Sequence, residues 1–158
     1  MFTKTTVLAT RTLVHLAQCG AGAVLSPRRI AEALGASPTY LAKVSRLLVR
    51  AGVLHAEKGA KGGVFLAATP RQITLLAVVE ACQGKILADY CRDGYSPQMV
   101  CAFHRAATEL HMAVRGVLSR WNLAQLLKRP QPACELARKG ICVLASPTPR
   151  RSSKVRTT

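Results

Sequence analysis

The sequence predicts a mainly α-helical fold with one small β-hairpin, and three observations predict it. Apolar residues recur at three- and four-residue steps in successive stretches. Two neighbouring stretches open on the same Ser-Pro pair, Ser26-Pro27 and Ser37-Pro38, and a short glycine-containing turn joins them. Two short apolar runs then flank a glycine-rich tip. Helix, tight turn, helix and hairpin in that order make a winged helix-turn-helix. A long helix further along completes the predicted class as a dimerisation element.

The first helix is expected to open at Thr5 or Thr6 and run to about Cys19, with Leu8, Leu13, Val14, Leu16 and Ala17 as its core face and Gly20 and Gly22 ending it. Cys19 reads as a small hydrophobe, and His15 as a satisfied or solvent-facing side chain. Ser26 caps the next helix, residues 28–34, which turns Ile30, Ala31 and Leu34 inward and ends at Gly35. Arg28 and Arg29 sit in its first turn, where free amides and cationic side chains can hold a phosphate or simply be solvated.

Ser37 and Pro38 start the helix that carries the chemistry, expected to run to about Ala51 and stop at Gly52. Leu41, Val44, Leu47, Leu48 and Ala51 fall on one side; Thr39, Lys43, Arg46 and Arg50 fall together on the other. No carboxylate occurs on this helix. A basic comb without acidic residues suits a helix lying in the major groove, where a carboxylate would be repelled by phosphate. Residues 53–56 and 64–67 are the expected strands of the wing, and the tip between them carries Lys58 and Lys61. Glycines let such a tip approach a backbone closely, and the lysines can neutralise phosphate. The tip is not a Walker loop, because no GK[ST] follows at the required spacing.

Thr69-Pro70 breaks the chain. A helix over residues 73–83 follows, with Ile73, Leu76, Val79 and Glu80 at helical spacing, Cys82 buried and inert, and Gly84 at its end. Residues 85–100 show little periodicity and are long for a connection, which marks functional or mobile segments. From about Met99 to Trp121 a long helix resumes. Phe103, Ala107, Leu110, Val114, Val117 and Trp121 step by 4, 3, 4, 3 and 4, a heptad seam that favours pairing with a second copy. Asn122 caps a short last turn to residue 128.

Three regions follow: a DNA-binding unit over residues 1–84, a cysteine loop and dimerisation helix over 85–128, and a basic tail over 129–158 read as disordered. Across 158 residues, 23 Lys and Arg against 7 Asp and Glu leave a net charge of +16. Such an excess favours a polyanionic partner, double-stranded DNA first. The tail holds seven of the basic residues and one acid, so the body is basic in its own right. No stretch approaches the roughly 18 apolar residues of a membrane span, and the N-terminus lacks the apolar core of a signal peptide. The six cysteines therefore read as those of a cytoplasmic protein, as thiols, metal ligands or redox groups. Paired carboxylates, a nucleophile elbow and a phosphate cradle are all missing, which argues against an enzyme. A sequence-specific regulator is the leading reading and a basic nucleoid or architectural protein the alternative.

Cys91, Cys101 and His104 form the one constellation suited to chemistry. Cys101 and His104 are three apart at the start of the long helix, so both project the same way. Thiolates with an imidazole suit zinc or an iron–sulfur cluster. A cluster, or a disulfide between Cys91 and Cys101, would order the loop and change the spacing of two recognition helices. Cys134 and Cys142 carry no partner pattern.

The runs TTVLATRTLVHLA, SPTYLAKVSRLLVRAGVL, KGAKGGVFLA and ITLLAVVEACQG, followed by Cys and Cys-x-x-His, resemble the IscR/NsrR-type (Rrf-two) bacterial transcription regulators over about residues 3–128. The wing signature is Gly59, Gly62, Gly63, Phe65, Leu66 and Ala67. The resemblance implies a winged helix-turn-helix dimerised through the long helix, with genes repressed or activated according to a [2Fe-2S] or [4Fe-4S] cluster; a repressor with [2Fe-2S] is the first expectation and a cluster-free regulator, as some members are, the alternative. Two-fold symmetry of the dimer would make the operator palindromic. The resemblance also implies that Cys91 is the first cluster cysteine, Cys101 the third and His104 a further ligand. The middle cysteine is missing, since residues 92–100 contain none, and Val7 stands where some relatives supply a carboxylate. Asp93, His15 and Cys82 are candidate substitutes for the fourth ligand.

Overall fold

The computed structural model describes residues 2–59, 62–86 and 100–128. The first helix, α1 (Lys4–Gln18), is capped by Thr3, whose hydroxyl accepts from the Thr6 amide at 3.3 Å. Thr5 and Thr6 are therefore inside the first turn rather than before it. Thr6, Thr10 and Thr12 are buried, and the last two donate their hydroxyls to carbonyls four residues back, at 2.9 and 2.8 Å. Those bonds let polar side chains sit in a core without an unmet donor. Cys19 is a correction: it lies past the last helical turn as the C-cap, is exposed, and has its sulfur 3.8 Å from His15 Nε2.

The helix-turn-helix forms as its caps dictate. α2 (Pro27–Leu34) starts on Ser26 and ends at Gly35, whose φ of 61° is the left-handed conformation that favours glycine. α3 (Pro38–Arg50) starts on Ser37. Leu41, Val44 and Leu48 are buried, while Leu47 is half-buried and Ala51, past the helix end, is exposed. Side chains in the final turn have no following turn to press them inward, so periodicity overstates their burial.

The wing strands are β1 (Leu54–Glu57) and β2 (Gly63–Leu66), each displaced by one residue from expectation and paired antiparallel from Leu54↔Leu66 to Glu57↔Gly63. Leu25, just before α2, adds a bridge to Val64 with bonds of 3.1 and 2.9 Å. The hairpin is thus tied to the entry of the helix-turn-helix, and it is not a free flap.

α4 (Leu75–Gln83) opens on Thr74, later than its periodicity suggests. Ile73 is buried ahead of the helix, and its carbonyl accepts from the Leu123 amide at 2.9 Å. α5 (Ala102–Arg120) is followed by α6 (Leu123–Leu127), which Asn122 opens through a reciprocal capping box with Gln125. Leu123 is buried in the same core as α1. α5 itself has one buried residue among those described, Leu118. Of the predicted seam, Phe103, Leu110, Val117 and Trp121 are 69, 62, 45 and 46% exposed, while Ala107 and Val114 are half-buried.

The core joins α1 to the recognition unit through Leu13, Leu16, Ile30, Leu41, Val44, Leu48 and Leu54. Gly63 is where backbone meets backbone. A Cβ there would lie 2.5 Å from the carbonyl carbon and oxygen of Leu25. Gly63→Ala is expected to lower stability by about 1–3 kcal/mol by prying the wing from the Leu25 bridge. A urea melt with an unchanged midpoint would contradict this.

Candidate nucleic-acid interface

The basic face of α3 stands clear of the core. Thr39, Lys43, Arg46 and Arg50 are all exposed. Together with Ser37, Tyr40 and Leu47 they line a shallow groove, and no carboxylate is among its lining residues. Arg46 donates from Nε to the Ala42 carbonyl at 3.4 Å, which lays its stem along the helix. Lys58 is exposed at the base of the wing tip, and Lys61 lies outside the described residues. Arg28 and Arg29 are exposed at the start of α2. Arg28 reaches Glu32 one turn on, at 3.1 Å, and an exposed pair of this kind adds little stability but orients the guanidinium along the helix.

Two contacts aim this face, and neither was visible in the sequence. Arg11 of α1 donates from Nη2 to the carbonyl of Leu34 at 2.8 Å. That carbonyl ends α2, so the cation meets the negative pole of the helix just before the turn. Partial burial lowers the pKa of this guanidinium, which nevertheless stays charged at neutral pH. Tyr40, two residues into α3, shares a 2.7 Å hydroxyl–hydroxyl bond with Thr5. One bond thus fixes the exit of α2 and the other the entry of α3, both against α1. An arginine between apolar positions of α1 is the only sequence signal for the first. Ser45, by contrast, buries its hydroxyl in the core with no hydrogen-bond partner among the described residues.

The predicted cysteine site is only partly within the description. Cys91 lies outside the described residues. Cys101 occupies the N-cap position of α5, is exposed, and makes no side-chain cap bond. His104 follows one turn later, with Nδ1 buried and without a hydrogen-bond partner among the described residues. An exposed thiol and an orphaned imidazole nitrogen three residues apart are donor types that suit a metal–sulfur group. Among the described residues, no cluster of three or more His, Cys, Asp or Glu side chains is close enough to hold a metal ion. Val7 is a half-buried aliphatic side chain and offers no ligand. Cys82 is half-buried against α1, and burial pushes its thiol up, more than the hydrogen bond to Thr6 brings it down. A protonated, sheltered thiol is a poor nucleophile and a poor ligand.

Comparison with known proteins adds the family context. The model of the Rrf2 family, described as iron-dependent transcriptional regulators, matches residues 2–129. The transcriptional repressor NsrR of Streptomyces coelicolor is 30% identical over 132 residues, covering 81% of this chain and 88% of that protein. The putative transcriptional regulator YwgB of Bacillus subtilis is 36% identical over 77 residues, and the match spans about half of each, 49%. Among solved structures, CymR, the global cysteine regulator of B. subtilis, superposes with a TM-score of 0.65 at 23% identity, covering 81% of this chain and 96% of that one. At that identity the likeness speaks for the fold.

Proposed function

The chain belongs to the Rrf2 family of transcription regulators, and from that premise we propose that it is a sequence-specific repressor that binds double-stranded DNA as a homodimer. The observation that carries this reading is the face of α3: four exposed residues, three of them cationic, in a groove without an acidic lining residue, and held from behind by α1. Such a helix is attracted by phosphate and presents donors to the edges of bases. Arg46 and Lys43 are assigned to guanine contacts, with Thr39 and Arg50 nearer the backbone. Arg28 and the wing residues Lys58 and Lys61 flank them on phosphates. The relationship to a named transcriptional repressor supports the sign of regulation.

The exposed apolar stripe on α5 supports dimerisation. Phe103, Leu110, Val117 and Trp121 recur on one face at heptad spacing, and a second copy would remove them from water. Two-fold symmetry then places two recognition helices on a palindromic operator. For sensing, Cys101 and His104 would hold an iron–sulfur cluster with Cys91 and one ligand not yet assigned. When bound, such a group supplies sensitivity to redox state or nitric oxide at the root of the long helix. The chain itself supplies the thiol, the imidazole and their fixed spacing on one turn.

Arg46→Ala should cost roughly 1–3 kcal/mol of affinity on a duplex enriched from a random pool by the wild-type protein, and should relax the preference at one base pair. An equal loss on every sequence would assign Arg46 to phosphate instead. Equal wild-type affinity for enriched and random duplexes, with a steep salt slope, would replace the repressor with an architectural protein. For the sensor, protein purified without oxygen should show visible charge-transfer absorption with stoichiometric iron and sulfide. Colourless, iron-free protein after reconstitution would remove the cluster.

A further inference from the structure

Three polar contacts, each between different helices, line up from the long helix to the recognition helix. Arg115 on α5 meets Glu80 on α4 at 3.1 Å, with both side chains about two-thirds or more buried at 34 and 27% exposure. Glu80 also accepts from the Ile86 amide at 3.2 Å. One turn further along α4, Gln83 donates from Nε2 to the hydroxyl of Thr6 on α1 at 2.7 Å. Thr6 is fully buried, and its oxygen lies 3.2 Å from the hydroxyl of Thr3. The adjacent residue, Thr5, bonds the hydroxyl of Tyr40 on α3 at 2.7 Å.

We propose that Glu80, Gln83 and Tyr40 are positioning residues of one relay, through which the setting of α5 against the body fixes the tilt of the recognition helix. This rests on the regulator reading above and adds a route by which the long helix governs DNA affinity. The physical ground is the difference between apolar and polar contacts. Leucine faces slide over one another at little cost, whereas partly buried hydrogen bonds hold only at set distances and angles. Glu80 and Gln83 share a face of α4, being three residues apart. A shift of α5 carries Glu80 with Arg115, and the same rotation of α4 moves the Gln83 amide against Thr6. Thr5 and Thr6 form one rigid turn, so Tyr40 follows. Tyr40 lines the groove next to Thr39 and Lys43, so the change arrives at the reading face.

A double-mutant cycle on the full-length protein tests this. The variants are Arg115→Ala, Tyr40→Phe and the pair, with Glu80→Gln and Thr5→Ala as a second cycle should either single variant fail to fold. The probe is a duplex enriched from a random-sequence pool by the wild-type protein, beside an unselected duplex, with thermal melts on every variant. Each single change is expected to weaken the enriched duplex by about fivefold or more, and the pair by no more than the stronger single change, so the coupling factor is itself about fivefold. Binding to the unselected duplex should move by less than about twofold. Losses that multiply, or single variants that melt earlier yet bind as tightly as wild type, would overturn the relay and leave the contacts as plain structural bonds. If the wild-type protein enriches no sequence at all, the regulator reading itself falls and takes the relay with it.

Discussion

The packing of α1 behind the helix-turn-helix is the constraint on which the rest of the molecule depends. Leu13 and Leu16 are buried against a core that includes Ile30, Leu41 and Leu48. Each such side chain withdraws about 1.5–3 kcal/mol worth of apolar surface from water. That packing leaves α3 one buried face and one exposed face. The polar clasps then set direction where apolar contact cannot. Arg11 holds the end of α2, and Thr5 holds the start of α3.

Charge is distributed in the same logic. The face of α3 has no acidic residue to offset its cations, while Glu32 tempers Arg28 on α2. The carboxylate of Glu80, half-buried, is spent on Arg115 and on the chain leaving α4. Positive charge on the exposed face of α3 is thus left without a carboxylate beside it. The apolar counterpart is α5, where Phe103, Leu110, Val117 and Trp121 are exposed. On the proposed reading, that stripe serves for pairing and the face of α3 for contact with DNA.

Much of this was legible in the residue pattern, and for clear reasons. Ser26-Pro27 and Ser37-Pro38 fixed two helix starts because capping chemistry is local. The amphipathic split of α3 and the exposed apolar residues of α5 were legible because periodicity reports faces directly. The IscR/NsrR-type resemblance, carried by the wing glycines and the run at α3, holds at the level of the family. Element ends were not legible: Cys19 and Ala51 sit past their helices in solvent, and Ile73 precedes its own, because periodicity continues where hydrogen bonding stops. Nor were Arg11–Leu34, Gln83–Thr6 and Thr5–Tyr40, since pairs separated by 23, 77 and 35 residues leave no periodic trace. The cysteine site was legible only as a set of donors. Cys101 and His104 share a turn, and Cys91 falls outside the described residues.

The most direct test of the central claim is methylation interference on a duplex enriched by the full-length protein. Methyl groups at guanine N7, in the major groove, are expected to block binding at two symmetry-related sites one helical turn apart, roughly 34–36 Å. Interference at neither site, or binding indifferent to major-groove methylation, would contradict a paired α3 readout.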